Sequence, residues 1–385
     1  MTAQPSNSLA PLQRVMLGDS LAAAEDAGHH VEQVEIRFAE GVDGGRVISA
    51  WAGTVSQTEV LRTAFLIEAG HPVGWESVMP GELLKVEEAV PSAWESWLAE
   101  DRRRPLLAPH QVPWRAIFWP GESRFVWTFH HALLDGRSIT RILRGFMKRV
   151  KGGSSDSLEI PKWRPPSPAM ISLGGEMLRR TFSGEEEGSA SRPSPDLRPG
   201  DPAVRCLGRR FLLHLEALAE SMEVTIATLL IWAWGQALAE SSGKSSMVVE
   251  QVRAGAPQDG TAGFTMNLLP VRIRRGGPET LRELRDQLMA LRQIESLSAD
   301  AVSPGVFPEV TGPWCSVVMI ERGTLHHLLG APDFVESVAL HERKGESLMA
   351  TAHVLPDLRL EVEGPGRHGL LEAWIGILDR EIHFS

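Results

Sequence analysis

The chain has 385 residues, more than one compact core usually holds, so two domains of about 100–200 residues each are expected. A net charge of −10 argues against a general nucleic-acid binder, and 43% hydrophobic with 23% charged residues is the composition expected of an ordinary soluble globular protein. Basic charge is carried by 33 Arg against 6 Lys, and tyrosine is absent, which removes phenol from the candidate acids and bases.

Leu12 to about Ala27 is predicted to be a helix. Val31 to Phe38 alternates apolar and polar residues, the pattern of a half-buried strand. A helix from about Gly45 to Glu59 follows, and Val60 to Glu68 returns to a strand pattern. Arg124-Phe125-Val126-Trp127-Thr128-Phe129-His130 is aromatic and β-branched, which predicts a buried strand. If that strand persists, period 2 puts His131 with Phe125, Trp127 and Phe129 on one face and His130 with Val126 and Thr128 on the other.

Ser138 is the expected N-cap of the next helix. There Ile139, Ile142, Leu143, Phe146, Met147 and Val150 form an apolar stripe at helical spacing. Arg141, Arg144, Lys148, Arg149 and Lys151 lie largely off it. This basic face has two readings: an ordinary solvated helix face, or a dock for an acidic partner protein.

From Gly152 to about Asp201 the chain is rich in Pro, Ser and charge, with Glu185-Glu186-Glu187 and a short helix at Met170 to Phe182. The organisation is therefore a first lobe over 1–155, a linker or crossover over 156–204 and a second lobe over 205–385. In the second lobe, residues 211–222 and 225–240 are expected to be helices, the second capped by Thr225. Strands are expected at Ser246–Glu250, Leu268–Ile273, Ser316–Ile320 and Leu358–Val362. Helices are expected at Thr280–Glu295 and Gly369–Ile382. Both halves read as mixed α/β.

Cys206 and Cys315 lack CxxC partners, so both are expected to be free thiols in a cytoplasmic protein. The N-terminus MTAQPSNSLAPLQRVML lacks a charged segment followed by an apolar one, so no signal peptide is expected. The most apolar stretch, Thr225 to Trp234, is too short to span a bilayer.

The chemistry-bearing stretch is His130-His131-Ala132-Leu133-Leu134-Asp135-Gly136. Histidine changes charge near neutral pH, which suits it to proton transfer. Three readings compete: a histidine base, a buried hydrogen-bonded pair, or a metal site using His130, His131 and Asp135. Metal is disfavoured, because adjacent strand residues face opposite ways and no other ligand cluster is in view. His326-His327 lacks a following Asp-Gly and is expected to be structural or exposed. No GxSxG elbow exists, which disfavours a serine hydrolase.

HHALLDG resembles the HHxxxDG motif of the condensation-domain and CoA-dependent acyltransferase superfamily. Leu12-Gln13-Arg14 is similar to the family's opening helix, and Glu59-Val60-Leu61-Arg62-Thr63-Ala64-Phe65 looks like its HExLRTxF segment. Pro113-Trp114-Arg115 resembles the strand leading into the histidines, and Gly263 to Arg272 looks like GxFxNxLPxR. Thr58 stands where the family has His before that Glu, and Glu250 where many members have Gly.

The resemblance implies an α/β fold of two similar chloramphenicol acetyltransferase-like lobes, a V-shaped pseudo-dimer with a tunnel between them. It implies a free-standing acyltransferase with His131 as general base. His130, Asp135, Gly136, Arg62 and Asn267 would support it. Asp135 would pair with an arginine, for which Arg62 is the expected partner, and Gly136 would give the backbone room. Asn267 would either shape the tunnel or make a strand-end hydrogen bond. No cofactor or metal would be bound. The donor would be a phosphopantetheine thioester, on CoA or on an acyl or peptidyl carrier protein, and the acceptor a small alcohol or amine. The chain would be a monomer. Two alternatives stay open: a catalytically silent carrier-binding or scaffold module, and a thioester hydrolase.

Overall fold

The computed structural model describes residues 8–23, 28–163, 166–182, 202–255, 258–295, 297, 316–330, 332–342 and 348–384. The chain opens with α1 (Pro11–Ala22), β1 (Val31–Phe38), α2 (Gly44–Gln57), β2 (Thr63–Glu68), β3 (His71–Ser77) and β4 (Lys85–Val86). It continues through α3 (Trp94–Arg103), β5 (Trp114–Trp119), β6 (Arg124–His130), α4 (Gly136–Val150), α5 (Pro168–Phe182) and β7 (Ala203–Cys206). Next come α6 (Gly208–Ser221), α7 (Ile226–Ser242), β8 (Ser246–Arg253), β9 (Asn267–Arg274) and α8 (Pro278–Leu291). The last elements are β10 (Val317–Gly323), the one-turn α9 (Leu325–Leu328), β11 (Val335–Glu342), β12 (Met349–Leu355), β13 (Arg359–Glu363) and α10 (Arg367–Phe384). The chain is a mixed α/β protein, as its alternating patterns predict.

The chain forms two compact units. The first takes Met1–Arg164, Ala256–Met266 and Leu325–Gly345; the second takes Pro165–Gly255, Asn267–Thr324 and Glu346–Ser385.

In the first unit a five-stranded sheet runs β11-β1-β6-β5-β4, and β2 pairs with β3 as a separate ribbon. β6 lies between β1 and β5, antiparallel to both. One face carries Phe125, Trp127 and Phe129, all fully buried with α2 and α4 in one core. The whole apolar stripe of α4 is buried in that core, as its spacing predicts. Trp51 on α2 is its centre: its ring centroid lies 5.8, 5.0, 5.3 and 5.3 Å from those of Trp114, Phe125, Trp127 and Phe146.

The other face of the sheet is covered by α3, and it buries polar groups. Asp101 on α3 is 2% exposed. Its Oδ2 accepts from Thr128 Oγ1 on β6 at 2.6 Å and from Gln33 Nε2 on β1 at 2.9 Å; its Oδ1 accepts from Arg115 Nε on β5 at 2.8 Å. The half-buried pattern expected for β1 is therefore corrected. Glu32 and Gln33 are both buried, because β1 lies inside the sheet between β6 and β11, with Gln33 under α3 and Glu32 on the opposite face beside Phe129.

In the second unit a six-stranded sheet runs β7-β13-β12-β10-β8-β9. β10 runs parallel to β12 and β8, and the other pairings are antiparallel. Thr225 caps α7 by accepting from Thr228 N, as expected. α7 is buried all round from Thr228 to Ala239, and Trp234 packs on Trp374 of α10 at 5.2 Å. Gly235 lets α7 lie directly on β9: a Cβ there would overlap the side chain of Ile273. Among the described residues no single helix is long and apolar enough to cross a membrane.

Candidate active site

β6 stops at His130. His131 to Leu133 form a short 3-10 turn, and Asp135 caps α4. The period-2 reading thus ends one residue before His131, which leaves the sheet and sits in the turn. The two histidines are separated by their surroundings rather than by strand alternation.

His130 is 1% exposed. Its Nδ1 accepts from the Ala132 backbone N–H at 3.1 Å, and its Nε2 lies 2.9 Å from Ser20 Oγ on α1. That network assigns a neutral ring with its proton on Nε2. Burial, reinforced by the neighbouring His30 and His131, lowers its pKa from 6.5 to about 3. His130 is therefore a strut for the turn and not a proton carrier at neutral pH.

His131 keeps 21% of its side chain exposed. Its Nδ1 lies 3.0 Å from Leu134 O and 2.9 Å from Glu32 Oε1, and its ring centroid lies 6.0 Å from that of Phe264. A backbone carbonyl can only accept, so Nδ1 carries the proton in the neutral ring and the lone pair sits on Nε2. Such a ring can take a proton from an attacking hydroxyl or amine.

Asp135 is held by other partners than the expected arginine. Its Oδ1 accepts from Ser138 N at 2.8 Å; its Oδ2 accepts from Thr265 N at 2.9 Å and Thr265 Oγ1 at 2.6 Å. Arg62 is not its partner. The Arg62 guanidinium donates to Val55 O at 2.9 Å, Ser56 O and Thr58 O at 3.5 Å, closing the end of α2. A three-donor set of neutral groups satisfies the carboxylate where a cation was expected. Ser138, expected as the cap, lies inside the first turn; its hydroxyl donates to Gly263 O at 2.7 Å and accepts from Gly263 N at 3.0 Å.

The expected need for space at Gly136 is also corrected, since a Cβ there would meet nothing within 4 Å. Asn267 lies in the second unit, where its Nδ2 donates to Glu295 O at 3.1 Å and to Leu297 O, and its Oδ1 accepts from Leu268 N at 2.9 Å. This is the strand-end hydrogen-bond role.

Four of the five residues of the basic face on and just after α4 find partners within the first unit. Arg141 donates to Gln258 O and Thr261 O, Arg144 to Leu328 O, and Arg149 to Ser155 O, while Lys151 pairs with Asp333. His326 and His327 stand on α9 and are partly or fully exposed. Cys206 is a free, exposed thiol, and Cys315 lies outside the described residues. Among the described residues no three His, Cys, Asp or Glu side chains are grouped to hold a metal ion.

Glu32 is the residue sequence reasoning missed. It is 5% exposed, it contacts His131, and its second oxygen, Oε2, is buried with no hydrogen-bond partner among the described residues. The available signal was register: antiparallel pairing puts Val31 opposite His130, so Glu32, second in the strand, lies beside the histidine turn.

The histidines set a pH window for stability. The folded pKa of His130 lies below its unfolded value, so its contribution is present above 6.5 and is lost as pH falls toward about 3. In the second unit, burial opposes charge on His353, but Glu321 at 2.8 Å and Glu361 at 3.5 Å overcome it and raise its pKa to about 9. That contribution is present below 6.5 and is lost as pH rises through about 9. Thermal midpoints measured across this range should fall on both sides. His353→Gln should flatten only the alkaline limb; an unchanged alkaline limb would refute the assignment.

The histidine turn thus sits in a mixed α/β protein of two compact units. No protein-family model matches the chain. One of the linear gramicidin synthase proteins of Brevibacillus parabrevis is 27% identical over 325 residues, 74% of this chain and 4% of that protein. Nonribosomal peptide synthetase 5 of Aspergillus fumigatus is 28% identical over 251 residues, 58% of this chain and 11% of that protein. The chain thus spans a small part of these relatives.

Among solved structures, the condensation domain of the monacolin K polyketide synthase MokA matches with TM-score 0.78 at 16% identity, covering 98% of this chain and 97% of that one. The starter condensation domain of rhizomide synthetase RzmA, solved with C8-CoA and Leu-SNAC, matches with TM-score 0.75 at 13% identity over 98% and 94%. The epimerization domain of tyrocidine synthetase B matches with TM-score 0.74 at 13% identity over 98% and 96%. The chain shares the fold of these condensation and epimerization domains and is similar in sequence to part of the synthetases that it matches.

Proposed function

We propose that this chain is an acyltransferase acting in the cytoplasm. It moves an acyl group from a phosphopantetheine thioester, on CoA or on an acyl or peptidyl carrier protein, to a small alcohol or amine. His131 is the general base. The observation that carries this reading is the contrast within the histidine pair: His130 is sealed and held neutral, whereas His131 stays partly exposed with its Nδ1 tied to Leu134 O and Glu32.

Nε2 takes the proton as the acceptor oxygen or nitrogen attacks the thioester carbonyl. A tetrahedral oxyanion forms. Its collapse breaks the C–S bond, and the proton held on His131 leaves with the thiolate as the free thiol. Holding both substrates together supplies much of the remaining rate. The ligands in the rhizomide starter domain structure, C8-CoA and Leu-SNAC, are an acyl thioester and an amine-bearing thioester, which is in line with this reading.

The test is thiol release from a panel of acyl-CoA and acyl-N-acetylcysteamine donors, with and without candidate alcohols and amines. Acceptor-dependent release is expected, and His131→Ala should reduce it at least about 100-fold with an unchanged thermal midpoint. Release with no acceptor would make the protein a hydrolase. A fully active His131→Ala variant would remove the base role. Carrier-protein binding with no turnover of any donor would make it a silent carrier-binding module.

A further inference from the structure

We infer that Glu32 is a positioning residue for His131, its carboxylate on Nδ1 orienting the ring and compensating the positive charge that develops when Nε2 takes a proton. This rests on the acyl-transfer reading above.

The geometry is specific. Glu32 sits second in β1, opposite Phe129, and its side chain is 7% exposed. Its Oε1 lies 2.9 Å from His131 Nδ1, beside the 3.0 Å contact from Leu134 O. Leu134 O alone would set the tautomer, so a second acceptor is redundant for that purpose. A buried carboxylate is costly unless paired, and Oε2 has no hydrogen-bond partner among the described residues. A structural carboxylate would be expected to have both oxygens satisfied, as Asp101 and Asp135 do.

Glu32 is instead satisfied best when the ring facing it is an imidazolium. In water-poor surroundings that attraction is several-fold stronger than in solution. The titratable neighbours of the ring also include His30 in the turn before β1 and His130 at the end of β6, both with pKa values lowered by burial, so neither supplies a charge that could balance an imidazolium at His131. Glu32 is the carboxylate in contact with the ring.

The experiment is nuclear magnetic resonance titration of the histidine rings in wild-type protein and in the isosteric Glu32→Gln variant, with turnover measured in parallel. The His131 midpoint should drop by about one pH unit or more in the variant. Its kcat should fall about 10- to 100-fold with KM nearly unchanged, a smaller loss than removal of the base. An unchanged midpoint, or a shifted midpoint with wild-type kcat, overturns the inference.

If the variant does not fold, the wild type suffices. The Glu32 side-chain carboxyl carbon should record a titration step at the His131 midpoint, and its absence overturns the pairing. The titration needs no substrate. A wild-type protein that turns over no thioester would therefore defeat the acyl-transfer reading while the Glu32–His131 pairing is still measured.

Discussion

Asp101→Ala is expected to lower the unfolding free energy by about 3 kcal/mol, because it strands the half-buried Arg115 guanidinium and two buried donors at once. Asp101 is 2% exposed and joins α3 to three successive strands through Gln33, Thr128 and Arg115. Arg102 reinforces the network by donating to Gln33 Oε1 at 2.8 Å. Removing the carboxylate leaves the Arg115 guanidinium facing a cavity beneath the sheet. Urea unfolding should show a lower midpoint with an unchanged slope. A loss under about 1 kcal/mol would show that water or neighbouring carbonyls replace the carboxylate. The same variant should leave the histidine turn intact, since α3 covers the opposite face of the sheet from the Trp51 cluster. Any turnover measured at a temperature where the variant is folded should be close to wild type.

Asp135→Ala is the second large effect, about 2–4 kcal/mol. The cap of α4 contributes about 1 kcal/mol of it, and the two Thr265 donors left unmatched supply the rest. Both losses arise from one side chain that is 3% exposed. Asp135→Asn should recover the cap but set an amide N–H against a Thr265 donor, so it should fall between alanine and wild type. Unfolding and thiol release measured on the same samples separate two roles. A lower midpoint with turnover reduced in proportion to the folded fraction marks a scaffold. A wild-type midpoint with lost turnover would mean that the carboxylate acts on the chemistry itself.

Much of this was legible in the order of residues. The stripe on α4 and the aromatic run of β6 each carry their own periodicity, and both fold as that periodicity requires. The histidine pair was legible as a motif, and the two rings do differ in burial and partners. Strand alternation is not the cause of that difference, because the strand ends at His130 and alternation does not reach His131.

What could not be read were partners set by distant segments. Thr265 reaches Asp135 across 130 positions, and Gly263 reaches Ser138 across 125. Arg62 offered the expected charge, but carbonyls at the end of α2 are nearer to it and consume its donors. Glu32 was hidden by a local pattern that assigns polar strand residues to solvent. Only the neighbours β6 and β11, and the core face that Glu32 shares with Phe129, make that position interior. The strands β11 and β12 carry mixed polar sequences, so their places come from pairing rather than from pattern.

The seam between Asp135, Ser138 and the segment at Gly263 to Thr265 has a consequence for dissection. The residues that hold the histidine turn arrive late in the chain, with Phe264 against the His131 ring, and two positions after Thr265 the chain enters β9 of the second unit. A fragment ending at residue 164 would carry the whole heptapeptide motif and none of those contacts. The motif is contiguous in sequence, but its working environment is assembled from both ends of a long excursion. Grafting the seven residues onto another scaffold would transfer the letters and leave the support behind.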